Sequence, residues 1–314
     1  MARYALVRLL QMIPLLLIVS LLSFGLIKLV PGDPAVVMGG ATATASEIEA
    51  IRHNLGLDRP LYEQLWDYYR NLAHGDLGRS LLLGQPVRDA LLERAPVTAA
   101  VAAHSMVLTL WLGVITGVAA ALRHNRWVDQ LVSFLALLGV SLPNFWLGLM
   151  LIVVFSVHLG WLPTGGYLGP ADPVGFLRTA TLPAVSLALL QIGLLTRVTR
   201  SAMLEELRQD YVRTARAKGL AERRVVGRHA LTNAMVPVVT VIGLILSVLL
   251  SGSVIVETIF DVPGIGLLLG NAILRRDYPM IQGGLLFVAA TLMVLNLLTD
   301  ILYGVFDPRV REQG

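Results

Sequence analysis

Six runs of apolar residues alternate with polar segments along the chain, and each run is about as long as a membrane-spanning helix. Such a helix needs about 20 predominantly apolar residues to cross a hydrocarbon core of about 30 Å. The composition agrees, because 55% of the residues are hydrophobic and only 15% are charged, against about 25% charged in soluble domains. The pattern predicts an all-α, polytopic membrane protein with six transmembrane helices, at about residues 9–30, 99–122, 131–157, 181–198, 234–256 and 284–306.

The first run is interpreted as a retained helix rather than as a signal peptide. It has full spanning length, and it leads into Val30-Pro31-Gly32-Asp33, which lacks the small-x-small pattern of a cleavage site. Lys28, near the end of the run, is long enough to extend its ammonium group to the membrane surface. We therefore expect this helix to remain part of the protein.

The distribution of Lys and Arg predicts the orientation, since these residues are enriched in cytoplasmic segments. With the N-terminus inside, the cytoplasmic segments hold 15 of the 25 basic residues. The outer segments hold 13 of the 21 acidic residues. Both termini are therefore predicted to be cytoplasmic, with the helices in the lipid bilayer.

The outer segment, residues 31–98, is too long to be a simple connection. Ser46-Glu47-Ile48-Glu49 has the spacing of a capping box and predicts a short helix that ends near Gly56. A second, amphipathic helix is predicted from Pro60 to His74. We interpret the segment as a folded subdomain, either a structural cap over the bundle or a docking surface for a partner. The apolar stripe of the second helix consists of Leu61, Leu65, Tyr68 and Leu72.

Several kinds of catalytic site are absent from the sequence. A phosphate-binding loop needs a Lys followed by Ser or Thr, but Lys28 is followed by Leu29 and Lys218 by Gly219. There is no His-Glu-x-x-His pattern, and there are no cysteines. We therefore expect no enzymatic activity, ATP site, metal or other cofactor in this chain.

A carrier driven by protons or sodium would need ionisable groups within the membrane. Few such groups occur in or near the apolar runs, namely His104, Glu257 and Asp300. We expect a hydrogen-bonded packing role for His104 and a structural role for Asp300, such as pairing with an arginine. A secondary carrier is therefore a weakly supported alternative.

The segment 197–230 is a strongly basic loop, with nine basic and four acidic residues. A helical period along it predicts an amphipathic helix. Gly219 then occupies a position where helices commonly end with a left-handed residue, and a second helical stretch is predicted from Glu222 toward the fifth span. The apolar positions with helical period are Leu204, Leu207, Tyr211 and Ala215.

Two interpretations of this basic loop are open. Its charge can simply fix the topology and contact anionic lipid. That explanation does not require small residues at a sharp turn, whereas Ala215, Ala217 and Gly219 would let a partner approach the backbone closely. Since the chain has no ATP site of its own, the loop suggests a transporter that is driven by the ATPase of another protein.

Eight short motifs, in order along nearly the whole chain, carry a resemblance to one protein family. They are Pro31–Pro34, Gly75–Ser80, Leu159–Pro163, Asp210–Gly219, Val256–Phe260, Pro263–Gly266, Arg276–Pro279 and Asp307–Arg309. With them the chain resembles the permease subunits of ATP-binding-cassette (ABC) importers, and most of all the first permease of the dipeptide, oligopeptide, glutathione and nickel group. The loop departs from the family pattern in two places, since Arg213 replaces its glutamate and Thr232 its closing proline.

The resemblance implies a type I ABC importer permease fold with the outer subdomain between the first and second helices. Residues 1–95 would form the N-terminal helix and subdomain, and residues 96–311 a five-helix core with a coupling loop at 197–233. It also implies a bacterial or archaeal cytoplasmic membrane, a second homologous permease, two ATPase subunits that bind ATP and magnesium, and an extracytoplasmic binding protein, with no nucleic acid. The cargo would be a short peptide, or alternatively glutathione or nickel.

In such a transporter the loop would sit in a groove on an ATPase subunit and pass its movement to the spans. A rigid lever of this kind must bias two states of the helix bundle. The residues expected to carry this coupling are Arg213, Thr214, Ala215, Ala217, Lys218, Gly219, His229 and Leu231.

Packing expectations concern two prolines and one stripe of small residues. Pro143 interrupts the third predicted span, and Pro183 falls near the start of the fourth. The stripe has a spacing of four, which allows close helix contact, either within this chain or with a second permease. Its members are Gly243, Ser247 and Ser251.

The outer segment from Glu257 to Asp277 has the weakest functional signal. Phe260–Gly264 is predicted to form a turn, followed by a short apolar helix from Ile265 to Leu274. This piece can be a re-entrant cap near the entry of substrate from the binding protein, or it can simply join the fifth and sixth spans.

Overall fold

The computed structural model describes residues 2–29, 34–39, 43–54 and 56–306, and it is almost entirely helical over these ranges. Two segments with π-helical hydrogen bonding, π1 and π2, continue neighbouring α-helices. The elements are α1 (Ala2–Leu29), α2 (Pro34–Gly39), α3 (Ala45–Asn54), α4 (Leu61–Ala73), α5 (Val87–Leu122), α6 (Trp127–Ser141), α7 (Asn144–Leu151), π1 (Ile152–His158), α8 (Pro173–Glu206), α9 (Asp210–Ala217), α10 (Glu222–Arg224), π2 (Val225–Ala230), α11 (Leu231–Ile259), α12 (Ile265–Leu274) and α13 (Tyr278–Phe306).

Four helices within the described ranges are long and apolar enough to cross a membrane. They are α5, α8, the continuous run from α10 through α11, and α13. The bent pair formed by α6 and α7–π1 adds a fifth if it counts as one span, and α1 contributes a shorter apolar stretch, Leu9–Gly25. The predicted all-helical, multi-pass fold is confirmed, whereas the number of six spans stays a prediction.

The third predicted span is not one straight helix, and the expected interruption at Pro143 is confirmed. α6 ends at Ser141 and α7 begins at Asn144, with an angle of 107° between the two helical parts. Pro143 cannot donate a backbone hydrogen bond, and the residue before a proline is driven out of the helical region. Leu142 is extended accordingly, with φ −92° and ψ 133°.

Pro183 has a different place from the one expected, because it lies well inside α8 rather than near a helix start. The helix begins ten residues earlier, where Asp172 accepts a hydrogen bond from the Gly175 amide at 3.0 Å. Pro173 follows at the first helical position, where its missing amide costs nothing. Because of these two residues, α8 begins before the apolar run from which it was predicted.

The chain divides into two compact units, each with its own contacts. The first comprises Val97–Gly266 and the described chain from Leu295 onward, and the second comprises Ala2–Pro96 and Leu267–Val294. The predicted domain boundary at residues 95 and 96 stays a prediction.

Helix α8 is the central element of the first unit. Of its most apolar stretch 61% is buried, against 33% for α5. Glycines at its helix contacts allow close approach, since a Cβ at Gly117 of α5 would lie 2.6 Å from the Cβ of Thr199 in α8. Where α8 meets α6, a Cβ at Gly193 of α8 would lie 2.5 Å from the carbonyl oxygen of Ala136 in α6.

The small-residue stripe of α11 lies partly against α13 in the same unit. A Cβ at Gly243 would overlap the side chain of Thr299, and the Ser247 hydroxyl donates to the Asn296 side-chain oxygen at 2.9 Å. Ser251 is exposed. The stripe therefore contributes two residues to packing within this chain and leaves the third on the surface.

In the second unit, α3 begins two residues earlier than its predicted capping box. Thr44, not Ser46, is the N-cap residue: the Glu47 amide reaches the Thr44 hydroxyl oxygen at 3.4 Å, and the Thr44 amide donates to the Glu47 carboxylate at 2.7 Å. The bond from the Thr44 amide, followed by a second one from the Thr44 hydroxyl at 2.9 Å, lowers the pKa of the Glu47 carboxyl. The helix ends near Gly56, whose φ is +63°, as predicted.

Helix α4 matches its predicted bounds closely, with Pro60 and His74 as its flanking residues. Three of the four stripe residues are half-buried, whereas Leu61 is 61% exposed because it lies at the end of the helix.

Two of the sequence motifs meet in the second unit. The Ser80 hydroxyl donates to the Asp277 carboxylate at 2.5 Å, and the Leu82 amide donates to the same oxygen at 3.1 Å. The other Asp277 oxygen accepts from the Met280 amide, which caps the start of α13. Motifs 75–80 and 276–279 are thus one structural feature. Motif residues 31–33 and 307–309 lie outside the described residues, as do the side chains of Lys28 and Asp300.

Candidate functional site

The stretch 204–215 of the basic loop is divided between two helices, so the prediction of one unbroken amphipathic helix there is wrong, whereas helical structure does resume at Glu222 as predicted. α8 continues to Glu206, the chain is non-helical around Gln209, and α9 then runs over Asp210–Ala217. Gln209 is extended at the start of α9, with φ −66° and ψ 149°, and Asp210 places a carboxylate in the first turn. A negative charge there interacts favourably with the helix dipole. The predicted stripe 204–215 therefore spans two separate helices.

The inner side of α9 packs into a small apolar cluster. Val212 is fully buried and Ala215 is 7% exposed, so the buried face begins at position 212 and not at Tyr211. The cluster joins α9 to the ends of the spans around it. Its other buried members are Ala121 from α5, Ala202 and Met203 from α8, Val225, Val226 and Ala230 from π2, and Ala234 from α11.

Gly219 ends α9 in the predicted left-handed conformation, with φ +75°. The Gly219 amide donates to the Arg216 carbonyl at 2.9 Å, and the Leu220 amide donates to the Ala215 carbonyl at 3.3 Å. These two bonds form a Schellman motif, in which an apolar contact usually accompanies the turn. Leu220 provides it by packing on the apolar cluster. The prediction of a glycine-ended helix is confirmed.

An ion pair closes the turn after Gly219. The Arg216 guanidinium donates two hydrogen bonds to the Glu222 carboxylate, at 2.7 and 3.1 Å. This contact raises the pKa of Arg216 further above its usual value. It also links α9 to α10 across the turn, although both groups are partly exposed, which limits its energy.

Tyr211 ties α9 to both neighbouring helices. Its hydroxyl donates to the Glu206 carboxylate at the end of α8 and lies 3.4 Å from the His229 carbonyl of π2. The side-chain amide nitrogen of Asn233 in α11 donates to the same hydroxyl at 2.9 Å. Burial, followed by the hydrogen bond to Glu206, raises the pKa of the Tyr211 hydroxyl, so it stays protonated. Sequence reasoning counted Tyr211 only as an apolar position.

The outer side of this structure is polar and basic. Among the residues expected to carry coupling, Ala215 lies inside, and His229 and Leu231 are half-buried at the end of π2 and the start of α11. The remaining five are exposed and lie together along α9 and its turn. They are Arg213, Thr214, Ala217, Lys218 and Gly219.

The family of the protein follows from comparison with known sequences. Residues 113–312 match the family described as "binding-protein-dependent transport system inner membrane component", and residues 1–102 match the N-terminal family of the same kind of component. The chain belongs to this family. It is an ABC transporter permease.

Several curated relatives match the permease over almost its whole length. A putative peptide transport system permease protein of Brucella abortus is 51% identical, with 97% of each chain covered. A di/tripeptide transport system permease protein of Pseudomonas aeruginosa is 45% identical, with 96% of each chain covered. A glutathione transport system permease protein of Escherichia coli K12 is 43% identical, with 99% of each chain covered.

A solved structure agrees with the permease fold. A crystal structure of an amino acid ABC transporter with histidines matches with a TM-score of 0.50 and 15% identity, covering 71% of this chain and 94% of that one. At this identity the likeness concerns the fold alone.

An ion pair next to the basic loop, with a buried carboxylate, was not predicted from the sequence. Arg200 of α8 donates to both oxygens of Asp129 in α6, at 2.5 and 2.7 Å, and the Asp129 side chain is only 5% exposed. The same carboxylate accepts from the Asn125 amide at 2.9 Å and lies 3.2 Å from the His124 ring. The pair therefore fixes the turn between α5 and α6 to the last turns of α8. An Asp at the start of an apolar run was the available signal.

The segment 257–277 of the permease is held by a buried carboxylate. The predicted turn and the helix Ile265–Leu274 are both present. Glu257 has no exposed surface and accepts from the Gly266 amide at 2.6 Å, while the Ile265 amide donates to the Thr98 hydroxyl at 2.9 Å. Side chains from α11 and α5 thus cap the start of α12, which is a structural role for Glu257.

At the opposite end of α8 from the loop, the permease has an open cavity of about 710 Å³. Arg178 and Asp172 provide its charged groups. His104 contributes to packing within the same unit, since its ring lies 5.7 Å from that of Phe176 in an edge-to-face arrangement. The cavity lining includes Ser156, Trp161, Pro163, Asp172, Arg178 and Thr179.

Proposed function

We propose that this permease carries short peptides across a bacterial or archaeal cytoplasmic membrane and that partner ATPase subunits drive it through the basic loop. The peptide assignment is supported by the names of the relatives at 51% and 45% identity. The relative at 43% identity is a glutathione permease, so glutathione, itself a small peptide, is the second candidate cargo. Nickel is a third that the family resemblance implies.

The observation that carries the coupling proposal is the construction of α9. Its exposed side offers Arg213, Thr214 and Lys218, and its inner side is packed on the ends of several spans. A partner that pushes on α9 therefore moves α8 and α11 with it, because Tyr211 is hydrogen-bonded to both. A helix fixed in this way transmits force, whereas a lipid anchor needs only charge.

The complete transporter would contain a second homologous permease, two ATPase subunits and an extracytoplasmic binding protein. ATP and magnesium would be bound by the ATPase subunits, since this chain has no phosphate-binding loop. Both termini and the basic loop would face the cytoplasm, as the distribution of Lys and Arg favours.

The test variant reverses two charges in α9 and the turn that follows it. A control variant reverses one charge in a different turn. In Arg213→Glu/Lys218→Glu we expect the amount of ATPase subunit that co-purifies with the permease to fall by at least about tenfold, equivalent to about 1.4 kcal/mol. The matched control is Arg126→Glu, an exposed residue of the turn between α5 and α6. It should co-purify the ATPase normally.

Equal losses in both variants would support lipid anchoring and contradict the docking role. Unchanged co-purification in the double variant would also overturn it. Transport by the purified chain with a proton gradient and no ATP would instead favour a secondary carrier. The cargo is identified separately, by titrating the cognate binding protein with peptides, glutathione and chelated nickel.

A further inference from the structure

One flank of α4 carries two strongly exposed aromatic side chains, followed along the helix by the half-buried Tyr69. Tyr62 and Trp66 are each 72% exposed. With Tyr69 they follow a helical spacing of four and three, so the three rings form one stripe along the helix. This aromatic stripe is distinct from the packed face, where Leu65, Tyr68 and Leu72 are half-buried.

Tyr69 fixes the position of α4 along α1. Its hydroxyl lies 3.1 Å from the Ser20 hydroxyl and 3.4 Å from the Leu17 carbonyl oxygen. Next to it, the Tyr68 ring lies 5.6 Å from that of Phe24. Leu17 is the midpoint of the apolar stretch Leu9–Gly25. A helix rises 1.5 Å per residue, so Leu17, where Tyr69 of α4 contacts α1, lies about 12 Å from the end of this apolar stretch at Gly25.

The same length of α1 presents apolar side chains outward. Ile18, Leu21 and Leu22 are 54%, 51% and 61% exposed. If α1 spans the bilayer, these side chains contact lipid, and α4 lies beside them rather than above the membrane. The aromatic stripe then continues the lipid-facing surface of α1.

The charged residues of α4 lie on one side of the helix, so the helix is amphipathic. By helical spacing, Glu63, Asp67 and Arg70 lie on the side opposite the packed face. Asp67 pairs with Arg59 at 3.1 Å while both remain about half exposed. Tyr and Trp rings are enriched where the hydrocarbon core meets the headgroups, because one end of the ring is apolar and the other forms hydrogen bonds. Amphipathic helices with such a flank lie in the plane of the interface.

We propose that α4 lies in the bilayer interface beside α1, with the aromatic stripe Tyr62, Trp66 and Tyr69 in contact with lipid. The lipid surface itself is the partner of this flank. The inference goes beyond the proposed transport function and uses only one part of it, namely that α1 crosses the membrane. It does not depend on the cargo or on the ATPase.

Fluorescence quenching by brominated lipids tests the proposal. A single-tryptophan chain keeps Trp66 and replaces the other four tryptophans by Phe, and the whole complex is reconstituted into phosphatidylcholine vesicles brominated near the headgroup end of the acyl chains. We expect the bromines to remove at least about half of the Trp66 emission, since interfacial helices bury their apolar side about 5–10 Å deep. Aqueous iodide should quench Trp66 weakly.

The matched control moves the tryptophan by one position to the charged side. In Trp66→Phe/Asp67→Trp the side chain turns by about 100°, and we expect strong quenching by iodide and weak quenching by bromolipid. Strong iodide quenching of Trp66 itself would overturn the proposal. So would Trp66 emission that changes only when the binding protein is added, because this would make the flank a protein-docking surface.

If the four replacements prevent assembly, the wild-type chain is compared with Trp66→Phe alone. The difference between their emission spectra isolates Trp66, and its loss in bromolipid vesicles gives the same answer. A difference spectrum unaffected by bromolipid contradicts the lipid contact.

Discussion

The two short amphipathic helices, α4 and α9, differ in what holds them in place. α9 has only eight residues, yet Val212 is fully buried and the helix is connected to α8, π2 and α11. α4 has 13 residues and none of them is fully buried. Its described contacts to the membrane helices are made chiefly by Tyr68 and Tyr69 to α1.

This difference shows that a similar helical period can build two kinds of element. A helix that packs against the ends of several membrane helices can move only together with them, and this is what a lever requires. A helix that lies along one span can be displaced without disturbing the others, which suits a surface element. Four substitutions test whether the difference is real.

The largest effect is expected from Val212→Asp. Burial of an unpaired carboxylate costs several kcal/mol, so about 3 kcal/mol or more of the stability of the loop should be lost. Limited proteolysis of the purified complex measures this, because trypsin should then cleave after Arg216 and Lys218 much faster. Ala221→Asp is the matched control: position 221 is exposed, and its cleavage rate should equal that of the wild type. Equal resistance of both variants would mean that α9 is as peripheral as α4.

Gly219→Pro should abolish ATP hydrolysis that is stimulated by substrate while leaving membrane insertion intact. Proline fixes φ near −65° and removes an amide, whereas Gly219 has φ +75° and donates to the Arg216 carbonyl. Because proline fits neither this φ nor this hydrogen bond, we expect a cost of more than about 1 kcal/mol at this turn. Gly227→Ala in π2 is the control, since no atom beyond its chain neighbours and the helix's own backbone lies within 4 Å of the added Cβ, and stimulation should be retained. A correctly assembled Gly219→Pro complex with normal stimulation would contradict the lever.

Tyr68→Ala should loosen α4 and leave coupling unchanged. The substitution removes the ring contact with Phe24, which is worth about 0.5–1.5 kcal/mol beyond area burial. Hydrogen exchange should accelerate over residues 61–73 but not over 210–217. Loss of stimulated ATP hydrolysis in this variant would show that α4 also belongs to the coupling path.

The smallest effect is expected from Arg216→Gln. The Arg216 side chain is 42% exposed and that of Glu222 58%, so we expect a loss of about 1 kcal/mol or less. Measured by exchange of the 219–222 amides, the difference from the wild type should shrink in 1 M salt, where charges are screened over about 3 Å. An effect as large as that of Val212→Asp would show that the ion pair, rather than the apolar cluster, holds α9.

The positions of most helices were predictable because long apolar runs have few alternatives. The residues at which individual helices begin or break were less predictable. The sequence contains both Thr44-x-x-Glu47 and Ser46-x-x-Glu49, and periodicity alone cannot decide which pair caps α3. Pro143 was recognisable as an interruption, but the angle of 107° depends on how α6 and α7 each pack against α8.

For the basic loop, the sequence predicted the glycine turn but not the buried face. The prediction assumed an unbroken helix from Leu204 to Ala215. The break around Gln209 changes the phase of the helix, so that Val212 is buried and Tyr211 becomes a hydrogen-bonding hub. The Asp129–Arg200 pair was missed because its partners are 71 residues apart, and only the fold brings them together.

The contact between Ser80 and Asp277 also has a consequence for the time at which the outer segment can finish folding. The two residues are 197 positions apart and both are 2% exposed in the finished protein. At about 5–20 residues per second, a ribosome needs about 10–40 s to add the intervening chain. During that interval Ser80 and the Leu82 amide have no carboxylate to bind, although the first helix has already been made. The outer segment near Ser80 therefore cannot complete its hydrogen bonds until the motif that contains Asp277 has been synthesised. A nascent chain that stops before residue 277 leaves these hydrogen bonds unformed.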